Sequence, residues 1–309
     1  MIAPSENPSG ICIVNKPSGP SSHDIVAQAR RLFHTRAIGH AGTLDPMASG
    51  VLLLLLGEAT KLSAALTLDR KSYRATIHFG SFTDSDDRMG NVIESRAPEP
   101  GWLTQERLTQ ALDEERSRTL QIPPQVSAIK QQGVAAYRRQ RRGETVAFEP
   151  RAVQVHDLRV LSVSDQVLEL SLSVSKGYYV RALARDLGHG LSMPAHLAAL
   201  CRTSSGCFEL AEAVEWPRSD VPPLLSISDV VRRSMPTKVI GAEGVWRARR
   251  GQRLTTEHFA EAGPDDFAAP AESEGPLCAW LDEQGALVAL GKRTVDGTFQ
   301  VARGFQAAG

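Results

Sequence analysis

Between Leu168 and Gly190 the sequence changes its period. Leu168, Leu170, Leu172 and Val174 alternate with polar residues, which predicts a half-buried strand. Beyond Gly177 the apolar positions move to Val180, Leu183, Ala184 and Leu187, a helical spacing that ends at Gly188 and Gly190. A chain that switches period within one short stretch must lay a helix against a sheet. The same mixture recurs upstream. Ile11 to Val14 is a short apolar run stopped by Asn15-Lys16-Pro17, and Ile25, Ala29, Leu32 and Phe33 follow at helical spacing with Ser22 as the expected N-cap. Val51 to Leu56 reads as a buried strand. Tyr73, Ala75, Ile77 and Phe79 alternate with Arg74, Thr76 and His78, and Leu103 to Arg118 predicts an amphipathic helix. The order is neither a regular βα alternation nor a pure sandwich, so the expected class is α+β.

Length sets the domain count. A chain of 309 residues accommodates two domains, and the break is expected near the proline-containing connection Pro217–Pro223, with Pro236 just beyond. From Val239 onward the segments are short, apolar and separated by glycine, which predicts a small β-rich module. The longest apolar run, Val51 to Leu56, is far shorter than the ~20 residues a membrane helix needs. Residues 1–10 lack the basic-then-apolar order of a signal peptide, so a soluble cytoplasmic protein is expected. Cys12, Cys201, Cys207 and Cys278 are scattered, with no Cys-x-x-Cys pair, which points to reduced, partly buried thiols.

Charge excludes one easy inference. Lys plus Arg and Asp plus Glu both total 35, so the whole chain carries no bulk signature of nucleic-acid binding. Any RNA contact must rest on local clusters such as Arg138, Arg139, Arg141 and Arg142, or Arg247, Arg249, Arg250 and Arg253. Either run also reads as a solvated face.

Most common chemistries leave no trace. There is no Gly-x-x-x-x-Gly-Lys-Ser/Thr loop, no Gly-x-Ser-x-Gly elbow and no His-Glu-x-x-His; nor does the zinc-deaminase signature occur. Neither a metal nor a cofactor is expected. The loop Gly39-His40-Ala41-Gly42-Thr43-Leu44-Asp45-Pro46 offers an aspartate between glycines and a proline. Locally, such an aspartate more often caps a turn than does chemistry.

Seven stretches, taken in order, decide between these readings. Lys16-Pro17-Ser18-Gly19-Pro20-Ser21-Ser22 resembles the first motif of the TruB-type pseudouridine synthases, and Gly39–Pro46 resembles that family's active-site loop. Lys71-Ser72-Tyr73-Arg74-Ala75, Thr83-Asp84-Ser85-Asp86, and Gln121-Ile122-Pro123-Pro124 with Ser127-Ala128-Ile129-Lys130 follow in the family's order. Ser175-Lys176-Gly177-Tyr178-Tyr179-Val180-Arg181 and Leu200-Cys201-Arg202-Thr203 complete the series. The resemblance runs from Ile11 to Phe208, about two-thirds of the chain.

What the resemblance implies is concrete. The fold would be a mixed, largely antiparallel sheet over residues 1–235, followed by a PUA-like RNA-binding domain over 236–309. The activity would be isomerisation of uridine to pseudouridine at position 55 in the tRNA T-loop, on a base flipped out of the RNA. Asp45 matches the essential aspartate; carboxylates are ordinarily ionised at neutral pH, the form a nucleophile or base needs. Arg181 matches the arginine that pairs with this carboxylate. Tyr73 matches the tyrosine that stacks on the flipped base, and Tyr179, rather than Tyr178, the second pocket tyrosine. His40 would fill the space the base vacates, Leu200 would line the pocket, and Lys16 would support the active-site loop. The segment from Gln121 to Arg151 corresponds to an insertion that covers the RNA, with Arg138, Arg139, Arg141 and Arg142 on phosphates.

That insertion favours a stand-alone monomer acting on tRNA, without an obligatory protein partner or a membrane, over a guide-RNA-dependent subunit. A tRNA-folding chaperone that needs no chemistry is the rival of another class. One departure from the family pattern is Ala41, where threonine is usual; another is the more basic run from Tyr137 to Gly143.

Overall fold

The structure is a computed structural model that describes residues 8–67, 70–125, 130–131, 134–135, 148–260 and 274–306. Its centre is a mixed sheet. Strands run in the order Val155–Val163, Val167–Val174, Lys71–Phe79, Ala195–Ser205, Ser49–Leu56, Gly10–Lys16 and Val214–Glu215. Ala195–Ser205 pairs parallel with Ser49–Leu56, and Gly10–Lys16 pairs parallel with Val214–Glu215. The other neighbours along this path are antiparallel. The expected class and sheet type therefore hold.

The two strand patterns have different causes. On Lys71–Phe79 the residues Tyr73, Ala75, Ile77 and Phe79 are buried, whereas Ser72, Thr76 and His78 are half-buried and Arg74 is exposed. One face alone is fully covered there, so the sequence alternates. Ser49–Leu56 is covered on both faces. Leu52, Leu54 and Leu56 join the cluster that holds Ile25, Leu108, Leu183 and Leu187 of the overlying helices. Val51, Leu53 and Leu55 point into a second cluster with Leu62, Phe208, Val230, Leu281 and Leu287. A strand packed on both sides reads as continuous aliphatics, and each fully buried leucine contributes about 2 kcal/mol.

One helix start differs from the sequence reading. The helix Ser22–Leu32 is capped by Ser21, whose side chain accepts from the Asp24 amide while Asp24 accepts from the Ser21 backbone, a capping box. Ser22 is instead buried, with its hydroxyl bound to both the N–H and the carbonyl of Leu44. Adjacent serines can each cap, and burial against the Leu44 loop decides which one does.

The C-terminal segments form a four-stranded sheet in the order Thr237–Val239, Cys278–Leu281, Leu287–Arg293 and Phe299–Gly304. Its own core gathers Ile240, Leu254, Phe259, Trp280 and Phe299, with Phe259 edge-on to Trp280 at 5.7 Å. This sheet shares its other face with the main body. Ala279, Leu281, Leu287 and Leu290 belong to the same apolar cluster as Ile11, Leu53 and Val230. Between the bodies, the helix Ile227–Ser234 contributes Val230 and Val231 to that shared layer.

Candidate active site

The Gly39–Pro46 loop is held from below by the first motif. Lys16 is completely buried, and its Nζ donates to the carbonyls of Pro17 at 2.9 Å, Pro20 at 2.7 Å and Pro46 at 3.4 Å. Ser18 donates to the Met47 carbonyl and the Gly19 amide to the Pro46 carbonyl. The Lys16 bond to Pro46, the Ser18 and Gly19 bonds and the Ser22 hydroxyl all end on or beside the loop that carries Asp45, while the Pro17 and Pro20 bonds fix Lys16 in its own motif. Burial pulls Lys16 down to about 8, against the attraction of Asp45.

From the other side the loop is held by Arg202, a residue to which the sequence reading gave no role. Its guanidinium is almost fully buried and donates to the carbonyls of Gly42 at 2.7 Å, Val51 at 2.7 Å and Thr43 at 3.5 Å. It also hydrogen-bonds the Tyr73 side chain, and Tyr73 is its partner across the strands. Gly42 has φ +73°, and a Cβ there would lie 3.3 Å from the Arg202 guanidinium. The signal available in the sequence was Arg202's place in Leu200-Cys201-Arg202-Thr203.

Asp45 then meets Arg181 across 136 residues of sequence. Nη2 of Arg181 donates to Oδ1 at 3.2 Å, and Nε lies 3.0 Å from Oδ2, off the line a hydrogen bond requires. The Asp45 side chain keeps 36% of its surface exposed against 6% for Arg181, so the carboxylate is presented to a ligand while its partner is sealed. Behind it, Nη1 of Arg181 donates to the Ser85 carbonyl and lies 3.6 Å from Asp87. A buried guanidinium needs such compensation on every side. The acidic stretch Gly80–Gly90 thus does more than turn the chain. Asp84 binds the Asn91 amide, Asp87 backs Arg181, and Asp86 pairs with Arg185 at 3.4 Å. Burial raises Asp86 to about 6, outweighing the pull of Arg185 and Arg181.

A cleft of about 380 Å³ opens over this pair, lined by Thr43, Asp45, Tyr73, Arg151, Tyr178, Tyr179, Arg181 and Leu200 among others. That volume lies at the small end of ligand sites. Asp45 is the one carboxylate among the described lining residues. Tyr73, Tyr179, Leu200, Arg181 and Asp45, predicted from distant parts of the sequence, are therefore brought together. Tyr178 is present too, but its hydroxyl is committed to buried Glu115 at 2.6 Å, whereas Tyr179 is half-exposed at the N-cap of the helix Val180–Gly190. Burial raises the hydroxyls of Tyr73 and Tyr179 above the ordinary tyrosine range.

His40 is placed otherwise. It lies on the strand Ile38–Ala41, edge-on to His23 at 5.4 Å, and is not among the lining residues. Burial lowers its pKa, and its Nδ1 has no hydrogen-bond partner among the described residues. Neighbouring Ala41 is buried in the apolar cluster with Leu53 and Leu62. Lys16 sits beneath the loop, outside the cleft lining. Arg138, Arg139, Arg141 and Arg142 fall outside the described residues. In the second basic run, Arg247 pairs with Glu243 and Arg253 with Asp296, while Arg250 stacks on exposed Trp246 at 4.0 Å. Burial pushes Cys12 and Cys278 up to about 12, so neither thiol is a nucleophile at neutral pH.

Larger hollows lie along the Gln105–Arg116 helix, about 720 Å³, and beside Trp216, about 470 Å³. Neither brings a carboxylate under aromatic side chains.

Known proteins resemble this chain in both fold and sequence. The fold matches the Cbf5 chain in the crystal structure of a Cbf5–Nop10–Gar1 complex with a TM-score of 0.69 at 24% identity, covering 96% of this chain and 84% of that one. The two chains thus share one fold over nearly the whole of this chain. Residues 30–180 match the TruB family pseudouridylate synthase N-terminal domain. The tRNA pseudouridine synthase B of Mycobacteroides abscessus is 37% identical over 284 residues, 90% of this chain and 93% of that protein. The protein of the same name from Mycobacterium sp. strain KMS is 40% identical over 280 residues, 89% and 92% of the two chains. The chain belongs to the TruB family of pseudouridylate synthases, and is an isomerase of that family. Among the described residues, no helix is long and apolar enough to cross a membrane.

Proposed function

We propose that this chain isomerises uridine to pseudouridine in tRNA, at position 55 of the T-loop, with Asp45 as its catalytic carboxylate. The observation that carries the reading is the Asp45–Arg181 pair in a cleft lined by Tyr73, Tyr179 and Leu200. The N1–C1′ bond breaks, the uracil turns, and C5 joins C1′. The proton on C5 leaves to solvent and N1 gains one, so the reaction is redox-neutral. Asp45 is the carboxylate that meets the reacting nucleotide, and Arg181 fixes its orientation through two of its nitrogens. The uracil, flipped out of the RNA, stacks on Tyr73, with Tyr179 and Leu200 closing the apolar surroundings that a neutral base requires. Lys16 holds the loop, and His40 props the RNA where the base has left. Arg138, Arg139, Arg141 and Arg142 contact phosphates, and residues 236–309 supply a second, PUA-like RNA-binding surface beside the catalytic domain of residues 1–235. The protein works in the cytoplasm as a monomer without an obligatory protein partner.

The test is tritium release from C5-labelled uridine in an unmodified tRNA transcript. The intact protein releases tritium, and Asp45→Asn lowers the rate by more than about 10³-fold while still binding tRNA. Tight binding without release by the intact protein would leave the chaperone reading in its place. Activity retained in Asp45→Asn would remove the role given to that residue.

A further inference from the structure

Among the described residues, four arginines stand in or behind the cleft, and three are engaged by neighbours. Arg181 is held by Asp45, Asp87 and the Ser85 carbonyl. Arg185 is held by Asp86, Asp186 and the Ile122 carbonyl. Arg202 is spent on main-chain carbonyls and Tyr73. Arg151 lines the same cleft, is exposed, and forms no ion pair among the described residues. Its cation is therefore open to a ligand.

Its position is not casual. Arg151–Ala152 is a two-residue strand antiparallel to Leu120–Gln121, with Arg151 directly opposite Gln121. The next residue continues the tie, since the Val153 amide donates to the Thr119 carbonyl at 2.9 Å. Gln121 in turn grips the peptide of Tyr179 with both ends of its amide. The Tyr179 N–H donates to Oε1 at 2.8 Å, and Nε2 donates to the Tyr179 carbonyl at 3.1 Å. The backbone of Arg151 is thus tied, through one side chain, to a tyrosine of the pocket. Its charge also acts on the Tyr179 hydroxyl, opposing the effect of burial there.

We propose that Arg151 is a substrate-positioning residue that binds a phosphate flanking the flipped uridine, an inference that rests on the reading of this cleft as a pseudouridine synthase site. A nucleotide extruded into a cleft brings its own 5′ and 3′ phosphates to the rim. The chain is neutral as a whole, so attraction for that backbone must come from local cations. A guanidinium is suited to the task because its planar fork matches two phosphate oxygens. Arg181 cannot supply this contact without releasing Asp45. Arg151 can, with no native ion pair to break among the described residues.

The experiment uses a T-loop stem-loop RNA with a neutral methylphosphonate placed either 5′ or 3′ of the target uridine. Dissociation constants and tritium release are measured for the full-length wild type, Arg151→Gln and Arg151→Lys. Wild-type release from the unmodified RNA tests the pseudouridine reading on its own, and its absence would sink that reading while the binding cycle still reports on Arg151. Arg151→Gln is expected to weaken binding about tenfold, to raise KM more than it lowers kcat, and to reduce the salt slope of binding by about one. Arg151→Lys recovers part of the loss. Neutralising the contacted phosphate costs the wild type a similar factor and costs Arg151→Gln nothing further. Losses that simply add at both phosphates, or an unchanged dissociation constant in Arg151→Gln, would overturn the assignment.

Discussion

At the scale of single residues, the loop that presents Asp45 depends on how many protons Lys16 carries. As an ammonium it has three N–H groups, and three carbonyls, those of Pro17, Pro20 and Pro46, receive them. Desolvation brings its pKa down to about 8, so the group begins to lose its third donor just above neutrality. One carbonyl then goes unpaired in a buried setting, and the longest contact, to Pro46 beside Asp45, is the one most readily released. Single-turnover tritium release is accordingly expected to fall as pH rises through about 8. Lys16→Met should lower the rate at every pH by tenfold or so and abolish this alkaline limb. If the limb survives unchanged in Lys16→Met, another group titrates there. The sequence placed Lys16 under the loop only through a family motif; that a lysine rather than an arginine sits there follows from three separate carbonyls converging on one nitrogen.

At the scale of elements, the candidate site is braced by the close seam between Ser49–Leu56 and Ala195–Ser205. Gly50 lies opposite Arg202 in this parallel pair, with φ +102°, and a Cβ on it would come within 2.2 Å of the Arg202 carbonyl oxygen. No backbone adjustment of a few tenths of an ångström relieves that overlap. Gly50→Ala should therefore cost about 3 kcal/mol or more of stability, read by urea unfolding, and should reduce activity further by moving the Arg202 donors off Gly42 and Thr43. A loss below about 1 kcal/mol would mean that the two strands separate more freely than this packing implies. The helix Val180–Gly190 is fixed with similar economy. Gln121 grips its N-cap, Tyr178 is tied to Glu115, and Arg185 reaches the Ile122 carbonyl.

For the whole molecule, the boundary expected near residue 235 is crossed by apolar packing. Val230 and Val231 sit in the same cluster as Leu281, Leu287 and Phe305, and Lys61 donates to the Gly304 carbonyl. Bodies that share a core unfold together. Trp102, packed edge-on to Phe79, reports on the main sheet, and Trp280 reports on the C-terminal core. Variants retaining only one of these tryptophans are expected to show urea midpoints that agree within about 0.3 M. Two separated midpoints would mean that the two bodies unfold independently in spite of the shared layer.

The element types and the sheet's inward faces were legible in the sequence because periodicity is a local property. Tyr73 to Phe79, Leu168 to Val174 and Val180 to Leu187 each announce their own burial. Locally, Asp45 reads as a turn aspartate, and helical spacing alone leaves Arg181 on a solvated face; the motifs paired the two, but only the packing of the helix Val180–Gly190 against the Asp45 loop brings them to 3.0 Å. Which of Ser21 and Ser22 caps a helix, what Asp86 and Asp87 do beyond turning the chain, and why Arg202 is buried are equally closed to a local reading. Each depends on a partner distant in sequence, 22 residues away for Ser22 and farther for the others. Arg202 reaches Gly42 across 160 positions, and Arg151 comes to the cleft because its short strand pairs with Gln121. The sequence by itself determined the elements and, through its motifs, the family. The tertiary structure alone decided which carboxylate is exposed, which arginines are spent on neighbours and which has no ion pair among the described residues, because these are consequences of desolvation and pairing in three dimensions.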